Sequence, residues 1–247
     1  FFPTRLTTLS IGSRAWCPKG RGRGPPLLPG HAGLVLVQLR LKTELSSEDY
    51  VRQKAWLKAS FKTCPLHPKG GCGLRKVGYY DRVEPVGLRV PYWHCPLGHC
   101  VFSLLPDFAA SHVSSTLAAI EQVVERFEQC RSEQYTNNER AAACVAPPAM
   151  ERASAVRWVN RRRRWVQAAL AITVGLLPAL AGCEPSLAGV RAILGGPVVL
   201  VRLREAAAAH LAQIPAPLGF KPLPRARDVR LARPPYGLGP APPPSFL

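Results

Sequence analysis

The sequence predicts an α+β protein: a small Cys- and His-bearing β unit packed with a mainly helical region, flanked by disordered basic termini. Three observations lead there. Short β-patterned segments lie between Cys64 and Leu105 among clustered Cys and His, apolar residues at helical spacing dominate after residue 111, and both ends are basic and rich in Pro or Gly. Hydrophobic residues make up 47% of the 247, enough to bury a core, while 20 Gly and 26 Pro leave part of the chain for linkers and tails.

Taken in order, residues 1 to 42 read as a disordered basic arm around CPKGRGRGPPLLPGHAG, within which LVLVQLRL has the composition of one strand. Residues 43 to 110 hold a helix and the β unit. Ser46 as N-cap and Asp49 at the N3 position predict a helix over 47 to 61, with Tyr50, Val51, Ala55, Trp56, Leu57 and Phe61 apolar. The segments KVGYYDRV and LRVPYWHC, joined by the turn-forming EPVG, and then VFSLL, predict three strands. Residues 111 to 214 read as a helical, helix-turn-helix-like region. Its first helix is expected over 113 to 130, with Val113, Leu117, Ile120, Val124 and Phe127 on one face and Glu121 among the polar remainder. A polar, Ala-rich link through APPAM precedes a helix over 150 to 170, whose Val156, Val159, Val166 and Leu170 share a face. A further helical stretch to about Leu211 is interrupted by GGP at 195 to 197. Residues 215 to 247 carry ten Pro and read as a disordered tail.

The formal charge of +18 argues for a polyanionic partner, and nucleic acid, an anionic membrane surface and a ribosome-like particle all fit it, since charge alone does not choose among them. The four consecutive Arg161, Arg162, Arg163 and Arg164, with Arg157 one turn earlier and Trp158 and Trp165 flanking, have the chemistry for phosphate contacts. A solvated helix face is the plainer account of such a run. The eight Cys could pair in an oxidising compartment, but FFPTRLTTLS lacks the basic and apolar regions of a secretory signal, so a reducing, cytoplasmic and nucleoid-associated location is expected. With Phe1 first and Met150 the single Met, the chain reads as a fragment or a frame lacking its own start.

Metal chemistry is the sharpest signal. Cys64-Pro-Leu-His67 with Cys72 nearby, and Cys95-Pro-Leu-Gly-His99, form two short knuckles separated by a hairpin's length, as a tetrahedral Zn²⁺ site requires. The favoured ligands are Cys64, Cys72, Cys95 and His99, with His67 the main competitor to Cys72 and Cys100 also within reach. Four protein ligands would close the site and make it structural.

The stretch TCPLHPKGGCGLRKVGYYDRVEPVGLRVPYWHCPLGHCVFSLLPDF resembles the zinc-ribbon segment at the front of transposase-like proteins of bacterial insertion elements, whose second knuckle runs into a T-F-S-L-L-P motif. Val101 stands where that Thr would be, and Phe102, Ser103, Leu104, Leu105 and Pro106 match. The resemblance implies a zinc-containing, DNA-binding module, with AVRWVNRRRRWVQAAL as its helix-turn-helix part. His67 and His99 depart from the Cys-based knuckles of that family. Only four Asp are present (49, 81, 107 and 228), and no carboxylate triad for two-metal strand cleavage can be assembled, so no catalysis and no small-molecule substrate are expected. The rival readings are a complete or degenerate metal-dependent transposase or nuclease, and a basic membrane-associated protein with a short span at 166 to 183 behind the Arg run.

Overall fold

The computed structural model describes residues 35–133 and 137–224. Four strands and six α-helices appear in the order β1 (Val35–Leu41), α1 (Ser47–Arg52), β2 (Arg75–Asp81), β3 (Arg89–Cys95), β4 (Cys100–Pro106), α2 (Leu117–Glu133), α3 (Asn138–Val145), α4 (Arg152–Leu176), α5 (Leu187–Leu194) and α6 (Val199–Ala206). The fold is α+β, as expected.

The three expected strands form an antiparallel meander, β2 against β3 and β3 against β4. The structure adds a fourth. Residues 35–41, which the sequence reading placed inside the disordered arm, pair in parallel with β4 from Val35↔Cys100 to Leu41↔Pro106, giving the order β1-β4-β3-β2. The physical reason lies in β4, whose seven residues are all buried: a strand covered on both faces leaves no wet edge, so its backbone N–H and C=O groups need a partner on each side.

Side-chain alternation along β4 divides the molecule into layers. Val101 and Leu105 point into the main core with Leu88, Val90 and Tyr92 from the sheet side and Leu117, Ile120, Leu200 and Leu203 from the helices. Cys100 and Phe102 point the other way, into a second cluster with Val37, Cys64, Cys72 and Cys95, beside which Leu104 packs with Trp93 and Ala59. The sheet thus separates a helical layer from a cysteine-bearing one.

The helix expected over 47 to 61 stops at Arg52. Lys54 takes a left-handed conformation (φ 49°), and a short 3-10 turn follows at Ala55–Leu57. On an unbroken helix Tyr50 and Trp56 would lie about 120° apart around the axis. The break brings both rings into the core, 6.1 Å apart. Helix α2 buries Leu117, Ile120, Val124 and Phe127 as its periodicity predicts. The link read as irregular contains α3, capped by the Asn137 side chain on the Glu139 amide at 2.7 Å and packed through Ala141 and Ala142 on Phe127 and Val159. Helix α4 runs six residues beyond the expected 170. The Gly-Gly-Pro break divides the next stretch into α5 and α6, and Val198, which caps α6 without a side-chain bond, is replaced in that role by Glu121 of α2: its carboxylate accepts from the Val199 and Leu200 amides at 2.9 and 2.8 Å. Glu121, expected on the polar face, is therefore buried.

The tail boundary at 215 also moves. Leu218 and Phe220 are core residues, while 225–247 and the arm at 1–34 lie outside the described residues. Arg204, fully buried, donates to the carbonyls of Leu218 (2.9 Å), Pro217 (2.5 Å), Asp107 (2.7 Å) and Ala109 (2.7 Å), stitching the start of the tail to the loop after β4. Desolvation pulls its pKa down, yet a guanidinium that makes four hydrogen bonds to carbonyls stays charged. Gly219 is sterically required, since a Cβ would lie 1.8 Å from the Ile214 carbonyl oxygen. Among the described residues no helix is long and apolar enough to cross a membrane, and the proposed span at 166 to 183 is broken where α4 ends at Leu176.

Replacing Arg204 with Met should remove four buried hydrogen bonds, leaving the Pro217 carbonyl held by Ser111 alone, and lower the unfolding free energy by about 3 kcal/mol or more. Urea titration measures the loss, and limited proteolysis should then cut between residues 212 and 224, which should resist in the parent protein. Unchanged stability would show that the four bonds are dispensable.

Candidate metal centre

Two turns and one loop deliver the cysteine-bearing layer. The first turn, Cys64 to His67, closes with the His67 amide on the Cys64 carbonyl at 3.0 Å. The second joins β3 to β4, where the Gly98 amide donates to Cys95 Sγ at 3.2 Å, the amide-to-sulfur contact expected of a knuckle. Cys72 arrives between Gly71 and Gly73, both in the left-handed region. Among the described residues, Cys64, His67, Cys72 and Cys95 form a group that could hold a metal ion, with ligand atoms all within 4.8 Å of one another. The three thiols are buried and the imidazole is half-buried.

The grouping differs from the favoured ligand set. His67 joins Cys72 rather than competing with it, and His99 falls outside the group, exposed on the outer side of the turn at φ 45°. Cys100 is buried beside the site, but its thiol donates to the Gly98 carbonyl at 2.9 Å. Sequence spacing alone had no way to separate His67 from His99, since both follow a Cys within four residues. The discriminating position is Gly98. A Cβ there would sit 2.8 Å from Leu66, 3.2 Å from Cys95 Sγ and 3.4 Å from the His67 ring, so the second turn comes so close to the first that it has room for an amide and none for a side chain.

The geometry fits a small divalent ion. Cys64 Sγ and Cys95 Sγ each lie 3.5 Å from His67 Nδ1. In a tetrahedron with arms of about 2.3 Å to sulfur and 2.0 Å to nitrogen, the sulfur-to-nitrogen edge is about 3.5 Å. Protonation without metal runs the other way. Burial pushes the Cys95 thiol up to about 12 and the Cys100 thiol up to about 11, so a bare thiolate at Cys95 is costly and a cation supplies what would deprotonate it. At Cys72 burial also works upward, but hydrogen bonds with Cys64 and the Leu74 backbone outweigh it and the net shift is down.

The arginine run lies elsewhere, on α4, and the fold sorts its members. Arg162 stacks over the Trp158 ring at 3.6 Å, and burial lowers its pKa to about 10. Arg163 pairs with Glu128 of α2 at 2.8 Å and covers Phe127. These two are packing residues, which the sequence, seeing no acid within a turn, did not reveal. Arg157, Arg161 and Arg164 are exposed. At about 100° per residue they fall within about 60° of one another, opposite the buried Val159, Val166 and Leu170. Among the described residues, none of the three makes an ion pair with an acid, though Arg157 donates to the Ser154 hydroxyl at 3.1 Å.

No family model matches the chain, and no curated protein or solved structure matches it.

His67→Ala should lose the metal measured by elemental analysis, whereas His99→Ala should retain one ion per chain. Gly98→Ala should weaken affinity at least tenfold by forcing the two turns apart. If His99→Ala released the ion and His67→Ala did not, the ligand set drawn from the geometry would be wrong.

Proposed function

We propose that the chain is a zinc-stabilised nucleic-acid-binding protein, with DNA as its polyanion and no catalysis of its own. Zn²⁺ suits a site of three thiolates and one imidazole, and four protein ligands leave no position for a reacting water. When bound, the ion would tie the 64–72 loop to the β3–β4 turn, a structural contribution of about 10 kcal/mol or more at neutral pH for comparable small sites.

The observation that carries the nucleic-acid reading is the exposed stripe of Arg157, Arg161 and Arg164 on a chain of net charge +18. Three guanidinium groups at i, i+4 and i+7 span about one 10 Å length of helix, which crosses several phosphates of a duplex. Arg162 and Arg163 act from beneath by fixing the rotation of α4. Helices α3 and α4 are the pair a helix-turn-helix reading would use, with the stripe on the second. Residues 146–151 between them exceed the usual turn of three to four, so the basic face supports the reading better than that motif does. The resemblance to transposase ribbons points the same way, toward the DNA-binding part of such a protein.

The salt dependence of binding to duplex DNA tests this. Replacing Arg157, Arg161 and Arg164 together with Gln should reduce the slope of log affinity against log salt by about 2.7, from about 0.9 per phosphate contact, and weaken all sequences alike. Replacing Arg162 and Arg163 should instead lower thermal stability. An unchanged slope in the triple variant would remove α4 from the interface.

A further inference from the structure

On the helix-facing side of the sheet, β1, β2 and β4 line an open cavity of about 420 Å³, with residues 112–114 and the exposed Lys221 completing its lining. Two buried donors on its sheet wall make no well-formed hydrogen bond: Arg82 Nε, and the Tyr80 hydroxyl, whose polar neighbours are Ser103 and Gln38. Both residues are more than nine-tenths buried, at 8% and 9% exposure. Buried donors without a well-formed bond are rare, and two on one cavity wall call for a common acceptor.

We propose that this cavity binds a small organic acid, its carboxylate or phosphate-monoester head held by Arg82, Tyr80 and Lys221 and its apolar body against Leu36, Val101 and Val113. Arg82 is built to present Nε. Its Nη2 donates to the carbonyls of Ala110 at 3.1 Å and Val113, so the guanidinium cannot swing out to find water. Among the described residues it has no ion-paired carboxylate. The acid on the cavity wall, Asp81, is exposed and bonded to Arg89 at 3.1 Å. Lys221 adds a second cation at the rim, and burial together with Lys221 and Arg82 lowers the pKa of His112, consistent with a positive interior that keeps that imidazole neutral.

Two further features support a ligand with an apolar body. Leu36 and Val83 stand at the mouth 42% and 57% exposed, where water gains nothing from them. His112 holds a left-handed backbone (φ 56°), uncommon for a residue other than Gly, and from it donates its amide to Gln38 Oε1 at 2.9 Å, fixing one more wall residue. Charge selects an anion, and the width between the cations and the apolar rim selects one larger than a bare ion. This departs from the expectation that the chain meets no small molecule, and it does not depend on the nucleic-acid reading, which uses α4.

Calorimetric titration of the full zinc-loaded chain with benzoate, phenyl phosphate, inorganic phosphate and neutral benzamide tests the inference. At least one aromatic anion should bind tenfold or more above both inorganic phosphate and benzamide, and which of the two binds better identifies the head group. Tyr80→Phe, which keeps the buried ring and removes only the hydroxyl beside Ser103 and Gln38, should fold normally and weaken that binding about tenfold, as loss of a hydrogen bond to a charged acceptor does. Lys221→Gln should weaken it and flatten its salt dependence, whereas the Arg157, Arg161 and Arg164 triple Gln variant should bind as the parent does. The inference is overturned if no anion binds at millimolar concentration, if benzamide matches the anions, if Tyr80→Phe and Lys221→Gln both retain full affinity, or if the triple variant loses it.

Discussion

Burial of β4 on both faces is the constraint from which the rest of the architecture follows. A strand of seven buried residues must have a ladder on each edge and a solid layer on each face. The edges are met by β1 and β3. One face is met by helices carrying Leu117, Ile120, Leu200 and Leu203. Among the described residues the other has no α-helix, and small loops between residues 58 and 74 cover it. Loops of that kind bury little apolar area by themselves, and a cluster of three thiols and an imidazole gives them a means of being cross-linked from inside. The Cys/His cluster is thus part of the second wall of the core, placed opposite the helices by the alternation of a single strand.

The helical layer is held to the sheet by a few buried charged groups as well as by apolar packing. Arg204 gathers four carbonyls from two distant loops, Glu121 caps a helix that lacks a cap of its own, and Arg40 joins Asp107 at 2.6 Å and also Glu205, linking β1 to α6. Each such group is hydrogen-bonded on nearly every polar atom, the condition under which burying charge is tolerated. Against that background the Tyr80 hydroxyl and Arg82 Nε, which make no well-formed hydrogen bond, stand out, because the same molecule satisfies Arg204 so fully.

A run of four arginines illustrates how tertiary packing assigns different work to identical residues. A helix turns about 100° per residue, so consecutive side chains cannot share a face. Two of them went inward, one onto Trp158 and one onto Glu128 and Phe127, and two remained outside with Arg157. The exposed part of the run is correspondingly smaller than the sequence suggests.

Much of this molecule was legible in the sequence. Strand-forming composition and the EPVG turn marked β2, β3 and β4, the period of 3.6 marked α2 and the first part of α4, and the two Cys-Pro-Leu turns marked the Cys/His cluster, because each of these is a local pattern that survives any tertiary context. Helix α3 was hidden, since eight mostly small residues carry too little periodic signal, and Glu121 looked like a surface residue because its partners, the Val199 and Leu200 amides, lie 78 and 79 positions away. Tertiary structure alone decided that residues 35–41 would close the free edge of β4, that residues 215–220 would enter the core under Arg204, and that His67 rather than His99 would face the thiols. The common reason is distance along the chain: each choice depends on groups brought together from separate segments, such as the close approach of Gly98 to Leu66 and His67 that leaves the neighbouring imidazole facing solvent.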